Sequence, residues 1–272
     1  MIKPSICKLA LFGNPVSHSL SPRIHQLFGE QFGMSIDYRA IECGIDALPA
    51  ELDAFRASGG IGVNLTVPLK AVGLSVCTEI DINARRARAV NTLRRSSERW
   101  HGFNTDGGGL LYDFDRCNID LIGRRILIIG AGGAAAGIIG SLLERGPAEV
   151  CIVNRTIERA ERLTDRHAHL GPVHAAGPDM PGQQNFDLVI QATSAGHGQA
   201  LPPLRRSWLS ARACAWDLNY GAAHQPFAEW CRAQGLTVHD GLGMLVGQAA
   251  LAFEIWTGNR PDPTPVMTAL AG

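Results

Sequence analysis

The sequence has no excess of charge of either sign and no long apolar run, although it extends over 272 residues. Its 25 basic residues balance its 25 acidic residues, whereas a nucleic-acid binder normally carries basic residues in excess on one face. No stretch reaches the roughly 18 apolar residues that indicate a membrane-spanning helix. These absences predict a protein that binds neither nucleic acid nor a membrane. The hydrophobic share of 46% is instead typical of a globular protein with a substantial core.

Cysteine pairs are also missing. Seven cysteines are scattered along the chain, none of them in a C-x-x-C pair, and their number is odd. This pattern favours free thiols in a reducing compartment over disulfides or metal ligands. The first residues, MIKP, lack the apolar core and the cleavage site of a signal peptide. Together these features predict a cytoplasmic location.

The nine histidines show no metal-binding pattern such as H-E-x-x-H. His167 and His169 are two residues apart, so they do not share a helix face, and both are expected at the surface. No metal cofactor is therefore predicted.

Lysine is nearly absent. Only Lys3, Lys8 and Lys70 are lysines among the 25 basic residues. Arginine stays protonated in proteins, whereas lysine can lose its proton when its surroundings favour the neutral amine. Lys70 is therefore a candidate for proton transfer, although an accident of composition explains the low count equally well.

The residues that are present alternate between strand-like and helix-like patterns. Domains commonly span roughly 100–200 residues, so this length predicts two domains. In the first part, strand patterns lie at 8–12, 36–42 and 60–66, helix patterns begin near 21 and cover 47–57 and 79–88, and a hairpin joins strands at 90–94 and 99–103. Ser21 suits the N-cap of the first helix, and Pro22 suits its first position.

A second alternating series begins at residue 124. Strand patterns lie at 124–130, 148–154, 186–192, 213–219 and 236–240, and helix patterns follow the first two strands and cover 226–235 and 242–258. Alternation of this kind predicts an α/β fold with largely parallel sheets. The sequence is most compatible with domain boundaries near Asp106 and Gly241.

The turn after the strand at 124–130 matches the dinucleotide-binding pattern G-x-G-x-x-G/A. Its residues are Gly130, Ala131, Gly132, Gly133, Ala134 and Ala135. The first glycine permits the tight turn, the second lets a pyrophosphate approach the backbone, and the helix N-terminus favours the anion. The alternative is a plain tight connection between strand and helix.

The next strand indicates which dinucleotide would bind. An NAD enzyme usually has an acidic residue about 20 residues after the glycine turn, but this strand ends at Asn154, Arg155 and Thr156, with Arg159 one helical turn later. A guanidinium pairs with a 2′-phosphate, which a carboxylate would repel. NADP is therefore predicted. The alternative is a solvated helix face on which Arg159 pairs with neighbouring glutamates.

Five further motifs are dense in small polar side chains. They are SHSLSP at 17–22, NLTVPLK at 64–70, AVNT at 89–92, NTDG at 104–107 and GLGMLVGQ at 241–248. Each one alone is explained by turn and cap chemistry. Most of them follow predicted strands, and ligands of open α/β sheets bind at strand ends. Together they predict a polar ligand site.

With these motifs in this order, the sequence resembles the shikimate dehydrogenase family nearly from end to end. The resemblance implies an α/β substrate domain, 1–106 plus 241–272, and a Rossmann-like NADP domain, 107–240, with a cleft between them. It also implies reversible NADPH-dependent reduction of 3-dehydroshikimate to shikimate, a step of aromatic amino-acid biosynthesis. A monomer or homodimer is expected.

The resemblance also implies roles for individual residues. Lys70 and Asp106 would be the catalytic pair, with the lysine exchanging a proton with the substrate oxygen. Ser19 and Ser21 would hold the substrate carboxylate. Ring hydroxyls would bind Asn64, Thr66, Asn91 and Gln248, and Tyr220 would lie near the substrate. The cofactor site would comprise the glycine turn, 154–156 and Arg159, completed by Thr193, Gly241 and Met244.

The sequence departs from the family at two positions. Gln191 stands where the family often has asparagine, and Arg88 stands where it usually has glycine. The resemblance leaves open a relative that acts on quinate or an aminoshikimate, or one that uses NAD. A dehydrogenase with a tetrahydrofolate cofactor fits the polar motifs badly. A non-catalytic sensor of dinucleotide or metabolite is the alternative from another class, but a sensor has no need of Lys70 and Asp106.

Overall fold

The computed structural model describes residues 6–180, 184–198 and 200–271. The MIKP segment considered for a leader, and Lys3 within it, lie outside these residues. The chain divides into two compact units, Met1–Leu110 with Leu245–Gly272, and Leu111–Met244, here called unit 1 and unit 2. No helix in the described part of the chain is long and apolar enough to cross a membrane.

Strands and helices alternate through both units. The strands are β1 (Cys7–Gly13), β2 (Ile36–Glu42), β3 (Gly62–Leu65), β4 (Cys77–Ile80), β5 (Thr92–Ser96), β6 (Arg99–Phe103), β7 (Arg125–Ile129), β8 (Glu149–Val153), β9 (Val173–Ala176), β10 (Phe186–Gln191), β11 (Leu209–Asp217) and β12 (Thr237–His239). The helices are α1 (Ser21–Gln31), α2 (Leu48–Ala57), α3 (Ile82–Ala87), α4 (Asp106–Arg116), α5 (Gly133–Leu143), α6 (Ile157–His167), α7 (Gln225–Ala233), α8 (Leu242–Thr257) and α9 (Pro263–Ala271).

Unit 1 is built on a sheet with the strand order β2-β1-β3-β5-β6-β4. β1 is parallel to β2 and β3, and β4 is parallel to β6, whereas β5 runs antiparallel to both of its neighbours. The carboxyl ends of β1, β3 and β6 therefore meet at one edge of the sheet, together with the amino end of β5. The predicted hairpin of β5 and β6 is confirmed.

The core of unit 1 lies on both faces of this sheet. Successive side chains of a strand point to opposite faces, and β1 follows this rule. Phe12 packs in a buried cluster with Leu52 and Phe55 of α2. Leu11 packs in a second cluster with Trp256 of α8. Both faces are thus covered, and the polar motifs lie where the strands end.

The structure corrects the prediction for the start of the first helix. The N-cap is Leu20, and Ser21 is already helical, with Pro22 in the first turn. The hydroxyl of Ser19 accepts a hydrogen bond from the backbone N–H of Ser21 at 3.2 Å. Ser19 thus provides an acceptor for one of the free N–H groups of the first turn, the role expected of a capping side chain.

The predicted helix at 79–88 is wrong in its first residues. Cys77–Ile80 form β4, which pairs with β6. Asp81 then caps α3, with its Oδ1 accepting from the N–H of Ala84 at 2.6 Å. Pairing at the edge of the sheet outweighs the local pattern here, and the Asp81 cap sets the start of the helix.

The sequence shows no helix pattern over α4, although cap chemistry is one interpretation of Asp106, and its three consecutive glycines disfavour a helix. Packing explains why it forms. Leu110 and Phe114 are almost fully buried, and a Cβ atom at Gly108 would lie 2.6 Å from a methyl group of Leu251 in α8. The absence of a side chain at Gly108 lets α4 and α8 approach closely.

Unit 2 is a parallel sheet with the strand order β12-β11-β10-β7-β8-β9. This is the doubly wound order of dinucleotide-binding domains, in which the order reverses between β7 and β10. The inner strands are buried on both faces and apolar nearly throughout. The predicted α/β class with a Rossmann-like second domain is confirmed.

Two short elements, β9 and α9, were not predicted. β9 has four residues at the edge of the sheet, too few for a clear alternation. The start of α9 is held to α1 by Gln31, whose amide donates to the carbonyl of Asp262 and accepts from its N–H, each at 2.8 Å. Contacts distant in sequence stabilise this helix.

Candidate functional site

The predicted substrate residues of unit 1 converge at one edge of its sheet. Asn64 lies near the end of β3 and Thr66 follows that strand. Asn91 precedes β5, and Asp106 begins α4 just after β6. These strand ends are neighbours, so residues from distant motifs come together.

Lys70 and Asp106 form an ion pair at this edge. The Nζ atom of Lys70 donates to Oδ2 of Asp106 at 2.6 Å. The Asp106 side chain is 5% exposed and that of Lys70 is 20% exposed. Asp106 also begins α4, whose N-terminus favours a carboxylate. The lysine can therefore be reached by a small molecule, while the carboxylate that holds it is shielded.

Asn91 holds the other side of this carboxylate. Its amide donates to Oδ1 of Asp106 at 2.8 Å and to the hydroxyl of Thr105 at 2.9 Å. Its side-chain oxygen, Oδ1, accepts from the backbone N–H of Thr105 at 2.9 Å. The hydroxyl of Thr105 donates to Oε1 of Gln248 at 3.3 Å. Thr105 lies in the NTDG motif but was not singled out from the sequence.

Asn64 faces Tyr38, a residue that sequence reasoning missed. The Tyr38 hydroxyl donates to Oδ1 of Asn64 at 2.8 Å. The amide of Asn64 donates to the carbonyl of Asn91 at 3.1 Å and to the hydroxyl of Thr92 at 3.0 Å. A tyrosine in the middle of β2 looks like an ordinary core residue, so no sequence signal marks it. Burial raises the pKa of Tyr38, which keeps its hydroxyl a donor.

Thr66 differs from Asn64 in having a free functional group. Its hydroxyl forms no hydrogen bond with any described residue, and the side chain is partly exposed. A Cβ atom at Gly13 would lie 2.3 Å from the Thr66 methyl group, so a glycine is required beside it. Of these two residues, Thr66 offers the polar group that is more available to a ligand.

The two serines of the SHSLSP motif lie side by side. The hydroxyl of Ser19 donates to that of Ser21 at 3.1 Å. Ser21 is 5% exposed, whereas Ser19 is partly exposed. Both lie at the N-terminus of α1, where backbone dipoles favour a negative group. This arrangement suits a carboxylate.

The glycine turn of unit 2 has the geometry that a dinucleotide requires. Gly130 has a φ angle of +110°, which side chains rarely tolerate, and an added Cβ would lie 3.0 Å from the carbonyl of Ala192. A Cβ at Gly132 or Gly133 would meet nothing within 4 Å. This open space at the N-terminus of α5 fits a pyrophosphate.

Asn154 braces the glycine turn. Its Oδ1 accepts from the N–H of Ala131 at 3.2 Å, and its amide donates to the carbonyl of Thr156 at 2.7 Å. Ala134, in the first turn of α5, completes the segment. The structure thus joins the two predicted cofactor motifs through one side chain.

Arg155 and Arg159 are exposed at the start of α6. Neither forms an ion pair with any residue in the described part of the chain. The alternative in which Arg159 pairs with neighbouring glutamates is therefore not realised. Both guanidinium groups are available to an anionic ligand.

Gln191 turns inward. Its side chain is 1% exposed; it donates to the hydroxyl of Thr193 at 3.0 Å and accepts from the N–H of Thr193 at 3.1 Å. The residue that replaces the usual asparagine thus fixes the conformation of Thr193. Thr193 also contacts the glycine turn, because a Cβ at Gly130 would lie 2.8 Å from its methyl group.

The remaining predicted residues of unit 2 lie after β11 and β12. Tyr220 precedes the 3₁₀ turn Gly221–His224 and is partly buried. The N–H of Gly241 donates to the carbonyl of Asn219 at 2.9 Å. Met244, in the first turn of α8, is 8% exposed.

Metal and thiol chemistry find no support in the described residues. No three His, Cys, Asp or Glu side chains there are grouped to hold a metal ion. His167 is fully buried rather than at the surface, with Nδ1 2.8 Å from the carbonyl of Leu163, while His169 is exposed as predicted. Its ring packs inward because His167 lies at helical spacing from Ala160, Leu163 and Thr164, on the buried face of α6. Burial raises the pKa of Cys151 and Cys231 to about 12, so neither thiol is a ready nucleophile.

Comparisons with known proteins agree with this geometry. Three family models match in chain order: a shikimate dehydrogenase substrate binding domain at 11–93, a shikimate / quinate 5-dehydrogenase at 115–200 and a shikimate 5′-dehydrogenase C-terminal domain at 241–271. Shikimate dehydrogenase (NADP(+)) of Xylella fastidiosa strain 9a5c is 47% identical over 270 residues, covering 97% of this chain and 96% of that protein. The protein of the same name from Stenotrophomonas maltophilia strain K279a is 46% identical over 267 residues, covering 97% and 95%.

Solved structures show the same similarity. Shikimate 5-dehydrogenase from Thermus thermophilus, in complex with NADP(H) and shikimate, has a TM-score of 0.86 and 35% identity, covering 97% of this chain and 98% of that one. An Ael1 enzyme from Pseudomonas putida has a TM-score of 0.90 and 37% identity at the same coverage.

Proposed function

The chain belongs to the shikimate dehydrogenase family, and we propose that it is an NADP-dependent oxidoreductase that interconverts 3-dehydroshikimate and shikimate. The observation that carries this proposal is the Lys70–Asp106 pair, with Nζ and Oδ2 2.6 Å apart at the polar edge of the unit 1 sheet. Reduction of a ketone needs a hydride at carbon and a proton at oxygen. When bound, NADPH supplies the hydride.

Lys70 supplies the proton in this mechanism. Its ammonium group donates a proton to the carbonyl oxygen as the ketone becomes an alcohol, and the neutral amine takes the proton back in the reverse direction. Asp106 holds Nζ in place, and Asn91 holds the second oxygen of that carboxylate. Asp106 thereby orients the amine without having to move during the reaction.

Substrate recognition is proposed to rest on neutral hydroxyl and amide groups. Ser19 and Ser21, at the N-terminus of α1, hold the ring carboxylate. We assign ring-hydroxyl contacts to the free hydroxyl of Thr66 and to the neighbouring side chains of Asn64, Asn91 and Gln248. The amide hydrogens of Asn64 and Asn91 are donated within the protein, so these two side chains also hold the site in shape. Tyr220 is proposed to lie near the substrate. An analogue lacking a hydroxyl would leave the Thr66 hydroxyl without a ligand partner, so such a site is expected to discriminate against it.

The cofactor is proposed to bind unit 2. The pyrophosphate lies over Gly132 and Gly133, where the structure leaves open space. Arg155 pairs with the 2′-phosphate, supported by Thr156 and Arg159. Thr193, Gly241 and Met244 line the nicotinamide side of the cofactor. Since no acidic residue stands at the end of β8, NADP is preferred over NAD.

The alternatives keep specific weaknesses. A relative acting on quinate or an aminoshikimate would use the same catalytic pair, so only turnover separates it from our proposal. A sensor without activity would not need the shielded carboxylate that holds Lys70. We also predict a monomer or homodimer in the cytoplasm; the seven free cysteines support a reducing compartment.

The experiment that tests the proposal is steady-state oxidation of shikimate and quinate with NADP⁺ and NAD⁺. We expect turnover with shikimate and NADP⁺ to exceed every other pair. Preference for quinate or NAD⁺ would overturn the specificity, and folded protein that is inactive with every pair would favour the sensor.

The mechanism is tested by the substitution Lys70→Ala. We expect kcat to fall by roughly 10²–10⁴-fold, the usual contribution of a general acid or base, with a smaller change in KM for shikimate. Lys8→Ala is the matched control, because Lys8 donates to the carbonyl of Ser58 at the surface, away from the polar edge. A Lys70→Ala enzyme with the kcat of the wild type would refute the assignment.

A further inference from the structure

One hydrogen bond joins the two ends of the segment that carries Tyr220. Asp217 is the last residue of β11, and His224 ends the 3₁₀ turn that follows Tyr220. The Nδ1 atom of His224 lies 3.1 Å from Oδ2 of Asp217. A carboxylate only accepts, so Nδ1 of His224 is the donor. The residues between them form a closed loop, here called the 217–224 loop.

The carboxylate of Asp217 is buried, and it accepts hydrogen bonds from other residues of this loop. Its side chain is 0% exposed and that of His224 is 12% exposed. The second oxygen, Oδ1, accepts from the backbone N–H of Asn219 at 3.0 Å and from its side-chain amide at 2.8 Å. A buried carboxylate requires partners for its oxygens, and these partners of Asp217 all belong to the loop.

The loop is packed against the segment that follows β10. The amide of Asn219 also donates to the carbonyl of Thr193 at 3.0 Å. A Cβ atom at Gly196 would lie 1.9 Å from the carbonyl oxygen of Ala223, so the two segments touch where glycine leaves no side chain. The middle of the loop is thus held by Asn219 and its last turn by His224.

We infer that His224 is a positioning residue for substrate binding: by donating to Asp217 it fixes the loop conformation that presents Tyr220. This inference rests on the proposed function, in which Tyr220 lies at the substrate. Removal of the imidazole would leave Oδ2 of Asp217 buried without a partner from His224. The loop would then relax, and Tyr220 would lose its fixed position.

A substitution at His224 should change cofactor binding less than substrate binding. Thr193 is held independently by Gln191, through hydrogen bonds to its hydroxyl and its N–H. The loop also contacts cofactor residues through Asn219, which donates to the carbonyl of Thr193 and accepts from the N–H of Gly241, but Asn219 is itself held by Oδ1 of Asp217 and not by His224. A change at His224 should therefore affect shikimate binding more than NADP⁺ binding.

The test compares His224→Leu with His224→Asn. Leucine removes the donor, and we expect KM for shikimate to rise about 10-fold, the scale of one lost hydrogen bond to a charged group, while KM for NADP⁺ and kcat change by less than about threefold. The side-chain amide of asparagine can donate from nearly the position of Nδ1, so His224→Asn should recover most of the affinity. The thermal unfolding midpoint of each variant shows whether it is folded.

A second variant tests whether His224 acts through Tyr220. In a Tyr220→Ala background, His224→Leu should raise KM for shikimate little further, because the group it positions is gone. The matched control is His174→Leu, which removes a half-exposed histidine of β9 that lies 3.9 Å from Glu149; it should leave both KM values unchanged.

The outcomes separate this inference from the proposed function. If the wild type is active and KM for shikimate is unchanged in His224→Leu, the inference alone is overturned. It is overturned in the same way if the rise in KM for shikimate persists in full in the Tyr220→Ala background, or if His224→Asn restores no more affinity than His224→Leu. If neither His224 variant folds, His224 is a general stability determinant and the inference is wrong. A folded wild type that does not oxidise shikimate overturns the proposed function, and the inference with it.

Discussion

Individual side chains at the candidate site act through partners that hold them. Lys70 depends on Asp106, which depends on Asn91, and Asn91 in turn contacts Thr105. Each link is a hydrogen bond of ordinary length between groups that are at least partly shielded from water. Such networks are sensitive to the loss of any member, because the remaining groups are left buried without partners.

One prediction concerns the single residue Arg155 and its role in cofactor binding. It is exposed and lacks an ion-pair partner within the described chain, so it is free to bind the 2′-phosphate. We expect Arg155→Ala to raise KM for NADP⁺ by about 10- to 100-fold, the range for a lost charge-assisted hydrogen bond. KM for NAD⁺ should hardly change, since NAD⁺ has no 2′-phosphate. Steady-state kinetics with both cofactors measure this.

Arg162→Ala is the matched control for Arg155. Arg162 is another exposed arginine on α6, but it lies beyond the first turn. Its removal should leave both KM values unchanged. An equal rise for NADP⁺ and NAD⁺ in Arg155→Ala would show that the residue does not read the 2′-phosphate.

At the level of the helix, the structure explains the unusual arginine at position 88. Arg88 is the C-cap of α3 and has φ and ψ angles of 49° and 40°, in the left-handed region. Glycine is favoured there because it has no Cβ atom. This accounts for the glycine that the family usually has. The Arg88 side chain itself is exposed, so the departure affects the backbone of the cap rather than the polar edge.

This geometry predicts that Arg88→Gly stabilises the protein. Relief of the left-handed strain should add about 1 kcal/mol to the free energy of unfolding and raise the thermal midpoint by about 2–4 °C. Differential scanning calorimetry measures the midpoint. Arg85→Gly, inside the same helix, should instead lower stability by about 1 kcal/mol, because glycine disfavours helical backbone. A lower midpoint for Arg88→Gly would contradict the strain argument.

At the scale of the whole molecule, stability should depend on pH through a buried histidine. His25 is 0% exposed, with its ring stacked on Tyr38 at 4.5 Å between centroids and close to Phe28 and Trp256. Burial lowers the pKa of His25 from 6.5 to about 3, an effect that Asn64 opposes. The folded protein therefore keeps this imidazole neutral in mildly acidic solution.

The direction of the effect follows from proton binding. Between about pH 6.5 and about pH 3 the unfolded chain binds a proton at His25 that the folded chain does not, so stability falls as pH falls through this window. From about pH 8 to about pH 5 the loss should be about 2 kcal/mol, since one pKa unit corresponds to about 1.4 kcal/mol. Urea denaturation of the wild type and of His25→Gln at several pH values measures it.

The His25→Gln variant should be less stable at about pH 8 but should lose about 2 kcal/mol less on acidification. His169→Gln, at an exposed histidine, is the control and should keep the pH dependence of the wild type. The same dependence in wild type and His25→Gln would show that His25 does not set the acid sensitivity.

Much of this protein could be predicted from the order of its residues. Alternation of strand and helix patterns indicated the α/β class, and the glycine turn before an apolar helix indicated the dinucleotide site. The scarcity of lysine drew attention to Lys70, and five motifs identified the family. These signals are local: each depends on spacing within a few residues, and the physical demands of a tight turn or an exposed ligand group appear directly in the residue types.

Only the tertiary structure decided which distant residues meet. Tyr38 donates to Asn64, and His224 donates to Asp217. Neither donor carries a local sequence signal, since a tyrosine within a strand and a histidine in a turn are ordinary. Helix α4 forms against the propensity of its glycines, and Cys77–Ile80 becomes a strand through pairing with β6. In each case the deciding free energy comes from packing or hydrogen bonding with residues far away in the chain, which local propensity does not contain.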